Sequence, residues 1–193
     1  MADKLRTAGP PARLLDALVD LVATDGLEAV SVRRVAAAAG VSIGAVQHHF
    51  PTKDAMLLAA ADHVGAEVER RLDRTVSRDD PGRALRAVAL ELAALGPGGR
   101  EGTAVWLAFV ARACSHPGIA AKHAGQWLEV EQLFAALLAG ARAEDPADAA
   151  DAAAELLALV DGLATAVAVE PGRMPPERAR RLLDAGLDRL LAG

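Results

Sequence analysis

The segment SIGAVQHH at 42–49 contains polar residues and a glycine, which are residue types that proteins use to contact DNA bases and phosphates. Gln can hydrogen-bond to an adenine edge through both ends of its amide, and His and Ser can bond to base edges or phosphates. A small residue such as Gly44 is needed where a helix approaches the duplex closely. At about 100° per residue along a helix, Gly44, Gln47 and His48 share one face. The residue types and their spacing therefore predict a helix that lies in the major groove of double-stranded DNA.

Such a helix needs a buried side and a rigid support. Val46 and Phe50 lie opposite the polar face and should pack against a preceding helix that carries leucines at helical spacing. Ser31 and Ser42 are placed to cap the two helices that follow them, and Gly40 lies in the turn between those helices. Two short helices joined by a tight turn containing glycine predict a helix-turn-helix.

The segment SVRRVAAAAGVSIGAVQHHFPTKDAML at 31–57 resembles the DNA-binding signature of the TetR family of transcriptional regulators. The shared features are a capped helix, Gly-Val-Ser with a glycine two residues later, a cluster ending in His-Phe, and a Lys followed by an acid. The resemblance implies an all-α homodimer with an N-terminal DNA-binding domain and a larger domain for dimerisation and ligand sensing. The residues expected at the DNA surface are Ser31, Arg33, Arg34, Ser42, Ile43, Gly44, Gln47, His48, His49, Thr52 and Lys53.

Two positions depart from the commoner pattern of that family. Gln47 stands where a Tyr that contacts the DNA backbone is frequent, and Ile43 stands where Lys or another polar residue is frequent. Gln can read adenine and Ile can contact a thymine methyl, so we expect altered specificity rather than lost binding. The alternatives are a three-helix unit that packs on another protein, or a helical sensor or protein-interaction module that keeps the fold without binding DNA.

The composition limits how the chain can bind DNA. The formal net charge is -5, whereas residues 31–54 carry three basic residues and one acid, so binding should depend on a local patch. Cys114 is the only cysteine; a disulfide or thiolate zinc site within the chain is excluded, and a reducing cytoplasm fits best. Charged residues interrupt the first apolar stretch, and the longest uncharged run contains glycine, histidine and proline. We therefore expect neither a signal peptide nor a membrane span.

We expect no catalytic site, no metal and no cofactor. The sequence contains no Tyr and no recognisable arrangement of nucleophile, base and orienting group. His48 and His49 are adjacent, so a helix directs their side chains about 100° apart, and no nearby Cys or carboxylate pair completes a metal site.

Helical periodicity continues along the chain and predicts about nine helices, separated by clusters of glycine, proline and aspartate. The expected domains are 1–52 for the helix-turn-helix and 53–193 for ligand binding and dimerisation. The predicted helices lie at about 12–25, 32–39, 43–49, 53–77, 82–95, 101–115, 117–143, 147–169 and 176–191.

The last two helices are the predicted dimer interface. Residues 156–169 are apolar on nearly every side and must be covered on every side, and the final helix carries a leucine stripe. In proteins similar to this one, these helices pair with their symmetry mates as a four-helix bundle. The alternative is burial within a monomer. The predicted interface residues are Asp161, taken as a hydrogen-bond acceptor there rather than a ligand contact, and Leu163, Leu183, Leu187 and Leu190.

Aromatic residues of the sixth and seventh helices are candidate walls of a ligand pocket, because the family binds inducers between these helices. Trp127, Glu131 and Phe134 share a stripe at helical spacing that places one acid on an apolar face. The alternative is that the aromatic side chains are ordinary core and that Glu131 pairs with an Arg or reaches water. The predicted pocket residues are Trp106, Phe109, Arg112, His123, Trp127, Glu131 and Phe134.

Together these features predict a ligand-responsive repressor. A homodimer places two recognition helices on successive turns of one DNA face, so a roughly palindromic operator is expected. A small-molecule inducer of unspecified identity is expected to enter the C-terminal domain and make the fourth helix pivot. The recognition helices would then lose the spacing that both half-sites require.

Overall fold

The computed structural model of the protein describes residues 12–75, 79–97 and 99–192. Across these ranges the chain forms nine α-helices and no strand, which confirms the predicted fold class. A short 3-10 helix, Leu27–Ala29, follows the first of them. The helices are α1 (Ala12–Asp25), α2 (Val32–Ala39), α3 (Ile43–His49), α4 (Lys53–Thr75), α5 (Pro81–Leu92), α6 (Gly99–Ala113), α7 (Pro117–Arg142), α8 (Ala150–Val169) and α9 (Pro176–Ala192).

The predicted boundaries differ most from the observed ones at the end of α5, which is at Leu92 rather than near 95, and at the start of α8. This helix begins at Ala150 rather than near 147, because residues 146–149 form turns after Asp145. The Asp145 carboxylate accepts a hydrogen bond from the backbone N–H of Ala147 at 2.9 Å. Residues 1–11 of the predicted first domain, and Val76 and Ser77 at the predicted end of the fourth helix, lie outside the described residues.

The N-terminal helices share one apolar cluster with parts of the larger domain. Leu18 of α1, Val35 of α2 and Val46 of α3 are fully buried in it, and Val105 of α6 belongs to the same cluster. α1 also packs directly against α4 and α6. The helix-turn-helix is therefore seated on the C-terminal helices rather than attached through a linker.

A second apolar cluster joins α5, α7, α8 and α9. Phe134 and Leu138 of α7 are fully buried there together with residues of the neighbouring helices. α8 and α9 approach closely because Gly186 has no side chain: a Cβ at that position would lie 2.5 Å from Leu159 Cδ2. This cluster forms the core of the larger domain.

The leucines assigned to the dimer interface are part of that core. Leu183 and Leu187 are fully buried within the chain, and Leu163 and Leu190 are only 4% and 6% exposed. The prediction of these four residues as interface is wrong, because the leucine stripe of α9 packs against helices of its own chain. An apolar stripe in a sequence indicates that its side chains are buried, but not whether they pack against their own chain or against a partner.

Among the described helices, α8 is the one long and apolar enough to cross a membrane, with a mean hydropathy of 1.8. Buried core helices meet the same criterion of length and composition. α8 packs against α5, α6, α7 and α9, and seven of its residues are buried, so core packing accounts for the apolar residues on its buried side.

Replacing Phe134 tests the assignment of this side chain to the core. Phe134→Ala should lower the free energy of unfolding by about 3–5 kcal/mol, because it removes a fully buried ring and leaves a cavity. The measurement is urea unfolding at fixed protein concentration. Leu128→Ala on the same helix is the control, since Leu128 is 55% exposed and should change stability by about 0.5 kcal/mol or less. Equal losses in the two variants would contradict the assignment.

Candidate DNA-binding surface and central cavity

The turn between α2 and α3 is fixed by backbone geometry and by serine caps. Gly40 adopts φ 64° and ψ 37°, the left-handed conformation that glycine adopts without strain. The N–H of Gly40 bonds to the Ala37 carbonyl at 3.4 Å, and the N–H of Val41 bonds to the Ala36 carbonyl at 3.0 Å, which closes α2. Ser42 then caps α3, and its hydroxyl accepts a hydrogen bond from the backbone N–H of residue 45 at 3.1 Å.

The two sides of α3 differ as the sequence predicts. Val46 is fully buried and Phe50, which follows the helix, is 4% exposed. The opposite side is exposed and carries Ser42, Ile43, Gly44, Gln47 and His48; Ile43 is 45% exposed although it is apolar. His49 lies half-buried at the flank, with its ring 6.2 Å from the Phe50 ring. The structure therefore brings five of the six predicted residues of 42–49 onto one exposed face.

The two arginines of α2 that are predicted to contact phosphates differ in whether their side chains are already paired. Arg33 is exposed, and its side chain forms no hydrogen bond or ion pair with the described residues. Arg34 forms an ion pair with Asp25 at the end of α1 and donates to the Ala29 carbonyl at 3.3 Å. Both members of that pair are more than a third exposed, so DNA phosphates can compete for Arg34 at little cost.

The start of α4 also combines a capping hydroxyl with a basic side chain that is already paired. The Thr52 hydroxyl accepts a hydrogen bond from the backbone N–H of Ala55 at 3.0 Å and so caps the helix. Lys53 donates to the backbone carbonyl of Glu28 at 3.3 Å and lies 3.4 Å from its carboxylate, which is almost fully exposed. Ser31 caps α2 in the same way, accepting from the N–H of Arg34 at 3.3 Å. These hydroxyls orient helix N-termini, whose partial positive charge favours phosphate.

A second candidate site is a cavity of about 360 Å³ that is lined mainly by α4, α5, α6 and α7 and opens to solvent. Trp106 and Trp127 stack beside it with parallel rings whose centroids are 5.8 Å apart. The Nε1 atom of Trp106 is buried without a hydrogen-bond partner among the described residues. Its lining residues include Val64, Arg71, Glu91, Trp106, Trp127 and Asp161.

Asp161 of α8 lines this cavity. Its carboxylate accepts a hydrogen bond from Trp127 Nε1 at 2.8 Å. Burial raises the pKa of Asp161, and the hydrogen bond from Trp127 partly opposes that rise. The observed hydrogen-bond partner of Asp161 belongs to its own chain, and the role of Asp161 as an acceptor at a dimer interface stays a prediction.

The predicted pocket residues divide into two groups. Trp106, Phe109 and Trp127 line the cavity, whereas Phe134 is core and Glu131 faces a shallow depression on the outer surface. The cavity face of α7 contains residues 126, 127, 129, 130 and 133, so position 127 of the predicted stripe reaches the cavity and positions 131 and 134 do not.

His123 and Arg112 are close to the cavity but do not line it. The His123 ring lies behind Trp127, with centroids 4.5 Å apart, and burial lowers its pKa and favours the neutral form. Arg112 donates to both carboxylate oxygens of Asp54, in the first turn of α4, at 2.8 Å each. These hydrogen bonds hold the pKa of Asp54 below its usual value.

The sequence reasoning missed the wall that α4 and α5 provide. Val64 and Val68 of α4 line the cavity, and Arg71 spans to Glu91 of α5 with guanidinium-to-carboxylate distances of 3.2 and 3.3 Å. The spacing of Val64, Val68 and Leu72 at four-residue intervals was a signal for an additional apolar stripe on α4.

An exposed helix-turn-helix seated on a helical domain that contains a cavity defines a DNA-binding transcriptional regulator. Residues 14–60 match the family model described as bacterial regulatory proteins, tetR family, and residues 81–192 match the BetI-type transcriptional repressor C-terminal model. The chain therefore belongs to the TetR family, as the sequence resemblance indicates. The matched families are regulators and not enzymes.

Individual relatives extend the match over nearly the whole chain. The transcriptional regulator BetI of Burkholderia thailandensis is 31% identical over 94% of this chain and 93% of its own length. The regulator PksA of Bacillus subtilis is 32% identical over 82% of this chain and 78% of its own. The crystal structure of a transcriptional regulator from Rhodococcus sp. Rha1 is 38% identical, with a TM-score of 0.82 over 95% of this chain and 96% of that one.

The raised pKa of Asp161 predicts a pH-dependent effect of its replacement. Folded Asp161 binds its proton more tightly than the unfolded residue, so stability is lost as the pH rises towards the raised pKa. Asp161→Asn cannot ionise and keeps an acceptor for Trp127, so it should raise the Tm at pH 7 by about 2–4 °C. The gain should shrink as the pH falls towards the ordinary pKa of Asp.

Thermal unfolding followed by circular dichroism between pH 4 and pH 8 measures this effect. Asp148→Asn is the control, because Asp148 is exposed and lies outside the cavity. A lower Tm for Asp161→Asn at pH 7 would show that the ionised carboxylate stabilises the fold and would contradict the prediction.

Proposed function

We propose that this protein is a ligand-responsive repressor that binds a roughly palindromic operator as a homodimer and is released by a small-molecule inducer. The observation that carries the proposal is the exposed Gly44, Gln47 and His48 face of α3, held outward by the buried Val46 and Phe50. The proposed domains are 1–52 for DNA binding and 53–193 for dimerisation and ligand binding. Because a repressor must reach chromosomal DNA, we propose that the protein is cytoplasmic.

Base reading is assigned to the exposed face of α3. Gln47 can pair with an adenine edge through both ends of its amide, and Ile43 can contact a thymine methyl. Gly44 allows the helix backbone to approach the duplex. Arg33, Arg34 and Lys53, together with the N-termini of α2 and α4, are assigned to phosphates, which position the protein without selecting sequence.

Dimerisation is assigned to the outer face of α8 and α9. Small residues line the exposed side of α8, including Ala154, Ala158 and Gly162, and Leu182 of α9 is 43% exposed. An ion pair between Glu155 and Arg189 crosses from one helix to the other on the same side. Small residues allow two helix pairs to pack closely as a four-helix bundle. This face replaces the buried leucines of the sequence-based prediction.

Inducer binding is assigned to the central cavity. α4 supplies one wall and begins at the proposed phosphate contacts, so a ligand that shifts α4 also shifts α3. The two half-sites of an operator require a fixed spacing between the two recognition helices. A ligand that binds the shifted arrangement more tightly would therefore lower operator affinity.

Replacing the reading face tests the DNA-binding assignment. Gln47→Ala and His48→Ala should each weaken operator binding by about five- to hundred-fold, because each removes hydrogen bonds worth about 1–3 kcal/mol. Fluorescence anisotropy with DNA from upstream of the coding region, at physiological salt with non-specific competitor, measures the loss. Gln132→Ala, an exposed glutamine on α7, is the control and should bind normally. Unchanged binding by both test variants would reject this face, and a chain with no specific binding to genomic DNA fragments would favour a non-DNA sensor.

A charge on the outer face of α8 tests the dimer assignment. Ala158→Glu should weaken dimerisation at least tenfold, because it would bury an unpaired carboxylate against its symmetry mate. Sedimentation velocity over a concentration series measures the dimer dissociation constant. Ala136→Glu places the same charge on an exposed site of α7 and should leave the dimer intact. Equal behaviour of the two variants would place the interface elsewhere.

A further inference from the structure

We propose that the central cavity binds a lipophilic organic cation carrying one positive charge and an aromatic or branched apolar body. The inference rests on the proposed function, because it names the chemical class of ligand for the cavity assigned there to the inducer. It is carried by three features of the lining: its charges, its aromatic rings and its apolar volume.

The charged residues that line the cavity favour a cation over an anion. Four carboxylates, those of Glu69, Glu91, Glu129 and Asp161, accompany a single guanidinium, that of Arg71. Arg71 is already paired with Glu91. A carboxylate or phosphate ligand would therefore meet three further acids and a cation that already has a partner. A positively charged ligand would instead be attracted by these carboxylates.

The aromatic side chains provide the second feature. Trp106, Trp127 and Phe109 line the cavity, and indole presents the strongest cation-binding face among protein side chains. Trp127 donates its Nε1 hydrogen to Asp161, which orients the ring and places a carboxylate at its edge. Trp127 stacks on Trp106 and lies against His123, so a cation would contact the parts of the two indoles that remain exposed to the cavity, together with the Asp161 carboxylate.

The size and apolar character of the cavity provide the third feature. Its volume of about 360 Å³ lies in the range of sites for drug-sized ligands, and valines and leucines from α4 to α7 make up much of its wall. A small hydrophilic amine would leave most of that wall without a partner. An apolar body of about ten to fifteen carbon atoms would bury it and gain roughly 25 cal/mol for each Å² removed from water.

The fluorescence of the protein is suited to testing this inference. The sequence contains two tryptophans and no tyrosine, and both tryptophans line the cavity. Emission excited at tryptophan wavelengths therefore reports on the cavity alone. The probe is benzyltriethylammonium, compared with the neutral N,N-diethyl-2-phenylacetamide, the anionic 4-tert-butylbenzoate and the small cation choline at constant ionic strength.

Benzyltriethylammonium should change the emission saturably and bind at least tenfold more tightly than each of the three comparison compounds. Asp161→Asn should weaken its binding at least fivefold and leave the affinity of the neutral amide unchanged. Glu131→Gln is the matched control, since this acid of α7 lies outside the cavity and its replacement should change neither affinity. Absence of saturable binding, binding of the amide or the benzoate as tight as that of the cation, or an unchanged cation affinity in Asp161→Asn would overturn the inference.

A parallel anisotropy measurement on operator DNA separates this inference from the proposed function. Tight binding of the cation to the cavity without release of DNA would refute the inducer role and leave the ligand class standing. Release of DNA by the neutral amide and not by the cation would refute the ligand class and leave the repressor standing. Release by the cation alone supports both.

Discussion

The bidentate ion pair between Asp54 and Arg112 connects the start of α4, beside the helix-turn-helix, to the end of α6. Asp54 lies in the first turn of α4, next to the Thr52 and Lys53 surface assigned to phosphates, and Arg112 lies in the last turn of α6. The same α6 carries Trp106 and Phe109 into the cavity. A second ion pair, between Arg71 and Glu91, ties the far part of α4 to α5. α4 is therefore attached near both of its ends, and a displacement of α6 would be transmitted to the helix-turn-helix.

The helix-turn-helix could be predicted because its structure depends on neighbouring residues in the sequence. Ser31 and Ser42 cap helices that begin one residue later, and Gly40 provides the left-handed turn between them. The partition of α3 into a buried and an exposed side follows from the spacing of a few residues. Local caps, a turn and helical periodicity are all encoded within about twenty residues, so their outcome does not depend on distant packing.

The larger domain was less predictable because its contacts join residues far apart in sequence. The apolar stripes on α7 and α9 indicated burial. They did not indicate whether the side chains pack against a neighbouring helix, line a cavity or contact a second chain. Phe134 is covered by its own core, while Trp127, seven residues earlier on the same helix, reaches the cavity. The hydrogen-bond partner of Asp161, Trp127, lies 34 residues away on α7. The acids paired with Arg34 and Lys53 likewise lie outside the motif that identified those cations.

The separation of roles within α3 has an evolutionary consequence. The side chains that hold this helix in place, Val46 and Phe50, do not overlap with the exposed Ile43, Gln47 and His48. Substitutions at the exposed positions leave the supporting contacts intact, so their cost to folding is small. After gene duplication, one copy can acquire a new target sequence through a few such changes while its fold, cavity and response to a signal are inherited unchanged. A lineage can in this way multiply its regulatory circuits faster than it remodels its sensors.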